Sequence, residues 1–543
     1  LAHRATAGFF GRLNFDYKGI YLFEFNGRYD GSSRFPADDQ WAFFPSGSIG
    51  YRFTEENYFK SLNINDILSN GKIRASWGQI GNEAIGSNMF ISTISGPSNY
   101  LWLQAGATNP TKYSSTPTLV SSSLSWERVE TVDVGFDLGF LDNSLNVNFD
   151  WFQRDTKDML APGLTLPGVL GASAPYVNEG QLRTRGWELG LSYNKSFGDF
   201  DVYANFSIYD GKTKVVKYRN ADMMLNTFYD GAEYGAIWGF ETDRYFTEDD
   251  CKPGTFTLNY TTEPGGALPD QTFLQSGSFV YGPGDIKFKD LDGNGVIDGG
   301  YRTDNDWLWE NHREVYKDPN KREAGIYPAG SAKNHGDLKK IGNSMPRYEY
   351  SFRLGGAWKG FDIDMYFQGV GKRDYWSCSA FVMPLTRGAD ATYANQNSYN
   401  KILYNDANQI IGYEISQSND FPCLYPGAAG AGRVAGIPMG KFNFYPQSKY
   451  LQDMSYLRFK QLTVGYTLPT NLTQKALIQR ARLYFTVENL CLLHNGMKGT
   501  GIDPEIGSTH NASYYGTSSN VNQDFGRVTP MPRTFSFGMQ VTL

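Results

Sequence analysis

The sequence predicts an all-β chain, a transmembrane antiparallel β-barrel with long extracellular loops, and three observations carry that expectation. Its 543 residues include 36 Tyr, 37 Phe and 60 Gly, a composition of strand and turn formers rather than helix formers. Short segments alternate apolar and polar residues with period two, which sorts them onto opposite faces of a strand. The connections between these segments are tight at one end and long at the other, the asymmetry of an outer-membrane barrel. No run of about 18 apolar residues is present, which excludes transmembrane helices but leaves membrane strands open.

Taken in order, the alternation begins at residues 20–28, where Tyr21, Phe23 and Phe25 oppose Glu24, Asn26 and Arg28. At 145–151, Leu145, Val147, Phe149 and Trp151 oppose Asn146, Asn148 and Asp150. At 200–208, Phe200, Val202, Ala204, Phe206 and Ile208 oppose Asp201, Tyr203, Asn205 and Ser207. The stretch FDIDMYFQ at 361–368 sets Phe361, Ile363, Met365 and Phe367 against Asp362, Asp364, Tyr366 and Gln368. Phe535, Phe537, Met539, Val541 and Leu543 close the series. Apolar faces this uniform need a partner surface as extensive as a bilayer, and the polar faces then line a watery lumen.

Lys18-Gly19, Asp142-Asn143, Phe197-Gly198-Asp199 and Lys359-Gly360 read as hairpin turns. The alternate connections run through 82–125, 218–345, 374–448 and 493–532. If the last strand descends to the periplasm, strands near 533, 455, 346, 176, 127, 41 and 7 descend. Those near 480, 361, 199, 144, 72 and 20 ascend, about 13 in all by this reading. Every long loop is then extracellular, provided that 234–247 belongs to one of them. Short helical turns are expected around 56–59 and within 469–478. An odd count cannot close a bacterial single-chain barrel, so further strands are expected before Leu1, where no signal-peptide pattern stands.

The charge balance, 50 basic against 56 acidic residues for a net of -6, is spread along the chain and forms no basic stripe, so no nucleic-acid partner is expected. Cys251, Cys378, Cys423 and Cys491 form no CxxC pair; Cys378 and Cys423 share one long connection, which leaves a disulfide between them open. Enzyme motifs such as GxSxG and HExxH are missing, and His3, His312, His335, His494 and His510 do not cluster in sequence. A GxGxxA match at 430–435 is followed by Pro438 and lacks a strand and helix around it, so it reads as a glycine-rich loop.

The sharpest local chemistry is DLDGNGVID at 290–298. Asp290, Asp292, Asn294 and Asp298 offer oxygens at positions 1, 3, 5 and 9, Gly295 permits the bend, and Val296 offers a backbone carbonyl at 7, the spacing of a Ca²⁺ loop. Mg²⁺ is the second choice, and position 12 is Tyr301 rather than an acid. The bland alternative, an Asx-rich turn without an ion, stays open. Aromatic residues crowd the long connections, among them Tyr100, Trp102, Trp307, Trp309, Tyr375, Trp376, Tyr514 and Tyr515. Their rings suit stacking on sugars or peptide side chains, and Trp102, Trp307, Trp309, Trp376 and Tyr514 are the candidate substrate contacts; loop packing is the alternative for each.

Several ordered strings carry a resemblance: RYDGSSRF at 28–35, FPSGSIGYR at 44–52, KIRASWGQIGN at 72–82 and GDIKFKDLDGNGVID at 284–298. YLRFKQLTVGYTLP at 456–469, LYFTVENL at 483–490 and PRTFSFGMQVTL at 532–543 continue it to the end. Together they resemble the SusC/RagA family of TonB-dependent outer-membrane transporters. The resemblance implies the later strands of a 22-stranded barrel, with a plug, a TonB-binding segment and an N-terminal domain preceding this stretch. It also implies TonB-driven import with a SusD-like surface lipoprotein as lid, commonly as a dimer of transporter and lid pairs, and no organic cofactor. Oligosaccharides are the first expected substrate class and oligopeptides the alternative; an adhesion barrel that transports nothing is the other reading. The stretch 299–337 is longer than the family usually has, which suggests a specialised external loop.

Overall fold

The computed structural model describes residues 4–62, 64, 66–86, 89–94, 98–100, 111–113, 117–121, 124–163, 166–172, 174–262, 265–275, 279–300, 330–377, 399–407, 409–423, 443, 445–497, 502–505, 529 and 531–543. Along the chain come β1 (Thr6–Tyr17), β2 (Tyr21–Ser32), β3 (Trp41–Tyr51), α1 (Asn57–Lys60) and β4 (Leu68–Asn82). A small pair, β5 (Ser98–Tyr100) and β6 (Thr111–Tyr113), precedes β7 (Glu127–Phe140), β8 (Leu145–Pro162), β9 (Tyr176–Phe197) and β10 (Phe200–Lys217). The long connection after β10 holds β11 (Ala236–Gly239), β12 (Thr242–Tyr245), β13 (Ile286–Phe288) and β14 (Lys339–Asn343). Then follow β15 (Arg347–Trp358), β16 (Phe361–Lys372), β17 (Asp374–Tyr375), β18 (Lys401–Tyr404), β19 (Ile410–Glu414) and β20 (Gln452–Asp453). The chain closes with β21 (Tyr456–Thr467), α2 (Thr470–Thr473), β22 (Arg480–Asn495) and β23 (Thr534–Thr542).

Thirteen of these strands form one large sheet whose order follows the chain, β1-β2-β3-β4-β7-β8-β9-β10-β15-β16-β21-β22-β23. Each lies where the alternation puts it. Residues 234–247 stay out of that sheet, because β11 pairs with β14 and β12 with β13 in separate two-stranded pieces. The two short helices fall in the connections where helical turns were expected. Lys359 and Gly360 both take positive φ, 46° and 91°, the two-residue turn whose twist matches the strands it joins. Among the described residues no helix is long and apolar enough to cross a membrane.

The described residues divide into two compact units, one made of 1–219, 229–233 and 351–364, the other of 220–228, 234–350 and 365–543. In the first, consecutive strands pair antiparallel and like faces fall in register: Phe15 opposes Phe23, Phe23 opposes Ile49, and Ile49 opposes Ala75. Phe15, Phe23, Phe25 and Ile49 remain 60%, 47%, 50% and 57% exposed, so among the described residues no protein layer covers this face, and lipid is its natural solvent. Stacked aromatics bound it at both ends. Tyr21 and Tyr51 stack at 5.3 Å beside the tight turn, and Tyr29 and Phe9 stack on Trp41 at 5.1 and 6.1 Å toward the opposite rim. Such paired girdles flank the apolar band of membrane barrels, where one edge of a ring is wet.

The second unit has a core of its own in the long connections. Phe240, Phe246, Ile286, Phe288, Ile297 and Leu338 are fully buried. Short edge strands there lack ladder partners, and side chains take their place. Gln271 donates to the Ile286 carbonyl and accepts from the Phe288 N–H, both at 2.9 Å, while the Asn443 Oδ1 accepts from the Ile286 N–H at 2.8 Å. Buried backbone groups left unpaired would cost more than these amides do.

Candidate functional site

The polar face of the first unit is a charged wall. Arg74 on β4 reaches three carboxylates: its Nη2 donates to Asp150 at 2.6 Å, Nε lies 3.3 Å from Asp137, and Nη1 lies 3.4 Å from Asp133. Lys72 stands 3.7 Å from Asp137, which also accepts from the Asn148 amide at 2.8 Å. Glu188 opposes Asp150 across β8 and β9, so among the described residues Asp133, Asp137, Asp150 and Glu188 face two cations, Lys72 and Arg74. A groove of about 520 Å³ runs along this wall, lined among others by Asn14, Asp16, Glu24, Lys72, Arg74 and Asp133. Asp364, expected on the lumen side, accepts from Arg353 Nε at 2.7 Å and from the Tyr203 hydroxyl. A wall so hydrogen-bonded offers donors and acceptors to a polar solute without presenting a lone buried charge.

In the second unit, the segment 290–298 folds into a tight knot of carboxylates and backbone N–H groups. Asp290 accepts from Gly293 N at 2.7 Å and Gly295 N at 2.8 Å, and Asp292 accepts from Asn294 N at 3.0 Å. Asn294 spends its Oδ1 on Val296 N at 2.7 Å, and Asp298 accepts from Gly300 N at 2.8 Å. The carboxylate that joins Asp290 and Asp292 is Asp337: one oxygen from each of the three lies within 4.8 Å of the others. Asp337 is fully buried and accepts from Leu291 N at 2.6 Å and Asp298 N at 3.0 Å. Burial, aided by the charges of Asp292 and Asp298 and opposed by those two N–H groups, pushes its carboxyl up to about 8. Of the expected ligands, Asp290 and Asp292 thus converge, Asp298 stands outside the cluster, and Asp337 is the acid that loop spacing did not reveal.

Trp376 is 2% exposed and Tyr375 1% exposed, so both belong to the loop core. Trp102, Trp307, Trp309 and Tyr514 lie outside the described residues, as does Cys378. Cys423 is buried, its thiol 3.6 Å from the Pro283 carbonyl.

Residues 2–301 match the family described as TonB dependent receptor-like, beta-barrel. TonB-dependent receptor P3 of Formosa agariphila is 27% identical over 98% of this chain and 45% of its own length. TonB-dependent receptor SusC of Bacteroides thetaiotaomicron is 26% identical over 93% of this chain and 42% of its own. Among solved structures, the RagAB peptide transporter superposes with a TM-score of 0.63 at 19% identity, over 93% of this chain and 45% of that one, which speaks to fold. The chain therefore spans less than half the length of the curated relatives it matches. With a family match over 300 of 543 residues and SusC- and RagA-like relatives along nearly all of it, the chain belongs to the TonB-dependent receptor-like β-barrel family of the outer membrane, a family of transporters rather than enzymes.

Proposed function

We propose that this chain forms the later barrel strands of a SusC-like importer, driven by TonB and lidded by a SusD-like lipoprotein, that carries oligosaccharides across the outer membrane. The observation that carries the reading is the polar wall around Arg74, on the opposite side of the sheet from an apolar face bounded by aromatic girdles. Hydroxyl-rich solutes exchange water for donors and acceptors such as Asn14, Asn148, Ser48 and Tyr203 at little cost. Trp102, Trp307, Trp309 and Tyr514 supply the stacking surfaces in this reading, while Trp376 is buried in a loop core. Oligopeptide import is the second reading, favoured by the shared fold with RagAB, a peptide transporter. Deleting the gene should abolish growth on at least one glycan and leave growth on peptides intact. Loss on peptides alone would replace the first reading with the second, and growth unchanged on both would leave a non-transporting adhesion barrel.

We also propose that Asp290, Asp292 and Asp337 hold a divalent cation, Ca²⁺ before Mg²⁺. Three carboxyl groups this close resist ionising together, and a hard cation offsets that cost through oxygen ligands. The cation would fasten the loop and take no part in chemistry. Adding Ca²⁺ at about a hundred times its dissociation constant should stabilise the loop by about 2.7 kcal/mol, read as slower proteolysis than in chelator. Asp290→Asn with Asp292→Asn should remove that difference; identical proteolysis of the wild type with and without chelator would sink the proposal.

A further inference from the structure

On the apolar face of the first unit, the register between β7 and β10 shows where lipid-grade side chains stop. Val134 opposes Trp151, and Trp151 opposes Trp187. One step toward the long-loop rim, the row reads Val132, Gln153, Arg185 and Lys212; the next reads Glu130, Asp155, Arg183 and Lys214. Arg128 opposes Lys157 in the row beyond. Like charges directly opposite in neighbouring strands are unfavourable, yet three such basic pairs occur in succession: Arg185 with Lys212, Arg183 with Lys214, and Arg128 with Lys157.

The carboxylates on this face leave the excess uncompensated. Glu130 is engaged by Lys157 and by Trp77 Nε1 at 2.7 Å, and Asp155 by Arg183 at 2.6 Å. Arg128 lies 3.9 Å from Asp158, and Asp210, beside the Trp187 row, is 7% exposed. Arg185 Nε donates to a neutral group, Gln153 Oε1, at 2.8 Å. Lys212 and Lys214 are exposed and form no ion pair among the described residues, although Glu233 stands opposite Lys214 across an isolated antiparallel bridge.

We propose that Arg185, Lys212 and Lys214 form a binding site for the phosphate groups of the phosphorylated glycolipid in the outer leaflet. The site is continuous with the lipid-facing surface, begins one row above Trp151 and Trp187, and carries the charge complementary to phosphate at headgroup depth. This rests on the long-loop rim being the extracellular one. An anion shared between Arg185 and Lys212 also relieves the repulsion of that directly opposed pair.

The test uses the full-length barrel protein purified in detergent and measures binding of bisphosphorylated lipid A, dephosphorylated lipid A and phosphatidylglycerol. Wild type should prefer the bisphosphorylated form, and Arg185→Gln/Lys212→Gln/Lys214→Gln should bind it on the order of a hundredfold more weakly. Lys195→Gln, at the tight-turn rim of the same face, should bind as wild type does, and strand circular dichroism checks that each variant folds. Equal binding of dephosphorylated lipid A, or undiminished binding by the triple variant, overturns the site. Preference for phosphatidylglycerol overturns the outer-leaflet assignment.

Discussion

Arg458→Met is expected to cost about 3 to 5 kcal/mol, the penalty for removing one partner of a buried ion pair and stranding the other. The Arg458 side chain, at the start of β21, is only 5% exposed and is met by Asp503 and Glu505, each 17% exposed. Its Nη2 donates to Asp503. Its Nε lies 2.8 Å from Glu505 Oε2 without a hydrogen bond's alignment, so that contact is ionic. Lys460 stays on Glu505 in the variant, which places the cost toward the lower end. Arg458→Lys keeps the charge and loses the planar fork, so it should retain about half the stability. Met497 and Ile502 are buried nearby in the sequence, so the loss should appear as early proteolysis around 497–505 as well as a lower urea midpoint. A change under about 1 kcal/mol would mean that the carboxylates are solvated once the guanidinium leaves.

Such contacts also mark the limit of what sequence reveals. Strand faces were legible because alternation is local: whether Phe149 or Asn148 faces lipid follows from parity alone, and one buried face fixes the register of a whole strand. The turns were legible for a similar reason, since Lys359-Gly360 needs only its own backbone to reverse the chain. Asp337 was not, because it meets the 290–298 segment through the N–H of Asp298, 39 residues away, and of Leu291, 46 away. No spacing rule written for a contiguous loop reaches that far. The Arg458 and Asp503 pair hides behind the same problem at a separation of 45. Trp376 shows the other limit: an aromatic in a long connection serves a loop core as readily as a ligand, and only packing tells the two apart.

The face assignment itself predicts two neighbouring substitutions with opposite outcomes. Phe149→Arg puts a guanidinium on the lipid side of β8, at about 2 to 4 kcal/mol if the position lies near the bilayer midplane. It also removes ring contacts with Phe136 at 5.2 Å and Trp187 at 6.5 Å, worth about 0.5 to 1.5 kcal/mol beyond area for a good pair. Asn148→Arg adds the same charge one residue earlier, on the exposed polar wall beside Asp137, where carboxylates outnumber cations. It should change stability by no more than about 0.5 kcal/mol. Urea unfolding in lipid vesicles reads both, and the contrast rather than either value is decisive, since general damage to β8 would move them together. Equal costs would mean that the apolar face of β8 meets protein or water rather than lipid. The lumen reading of Arg74 and its carboxylates would then fall with it, because the two faces of one strand cannot be reassigned separately.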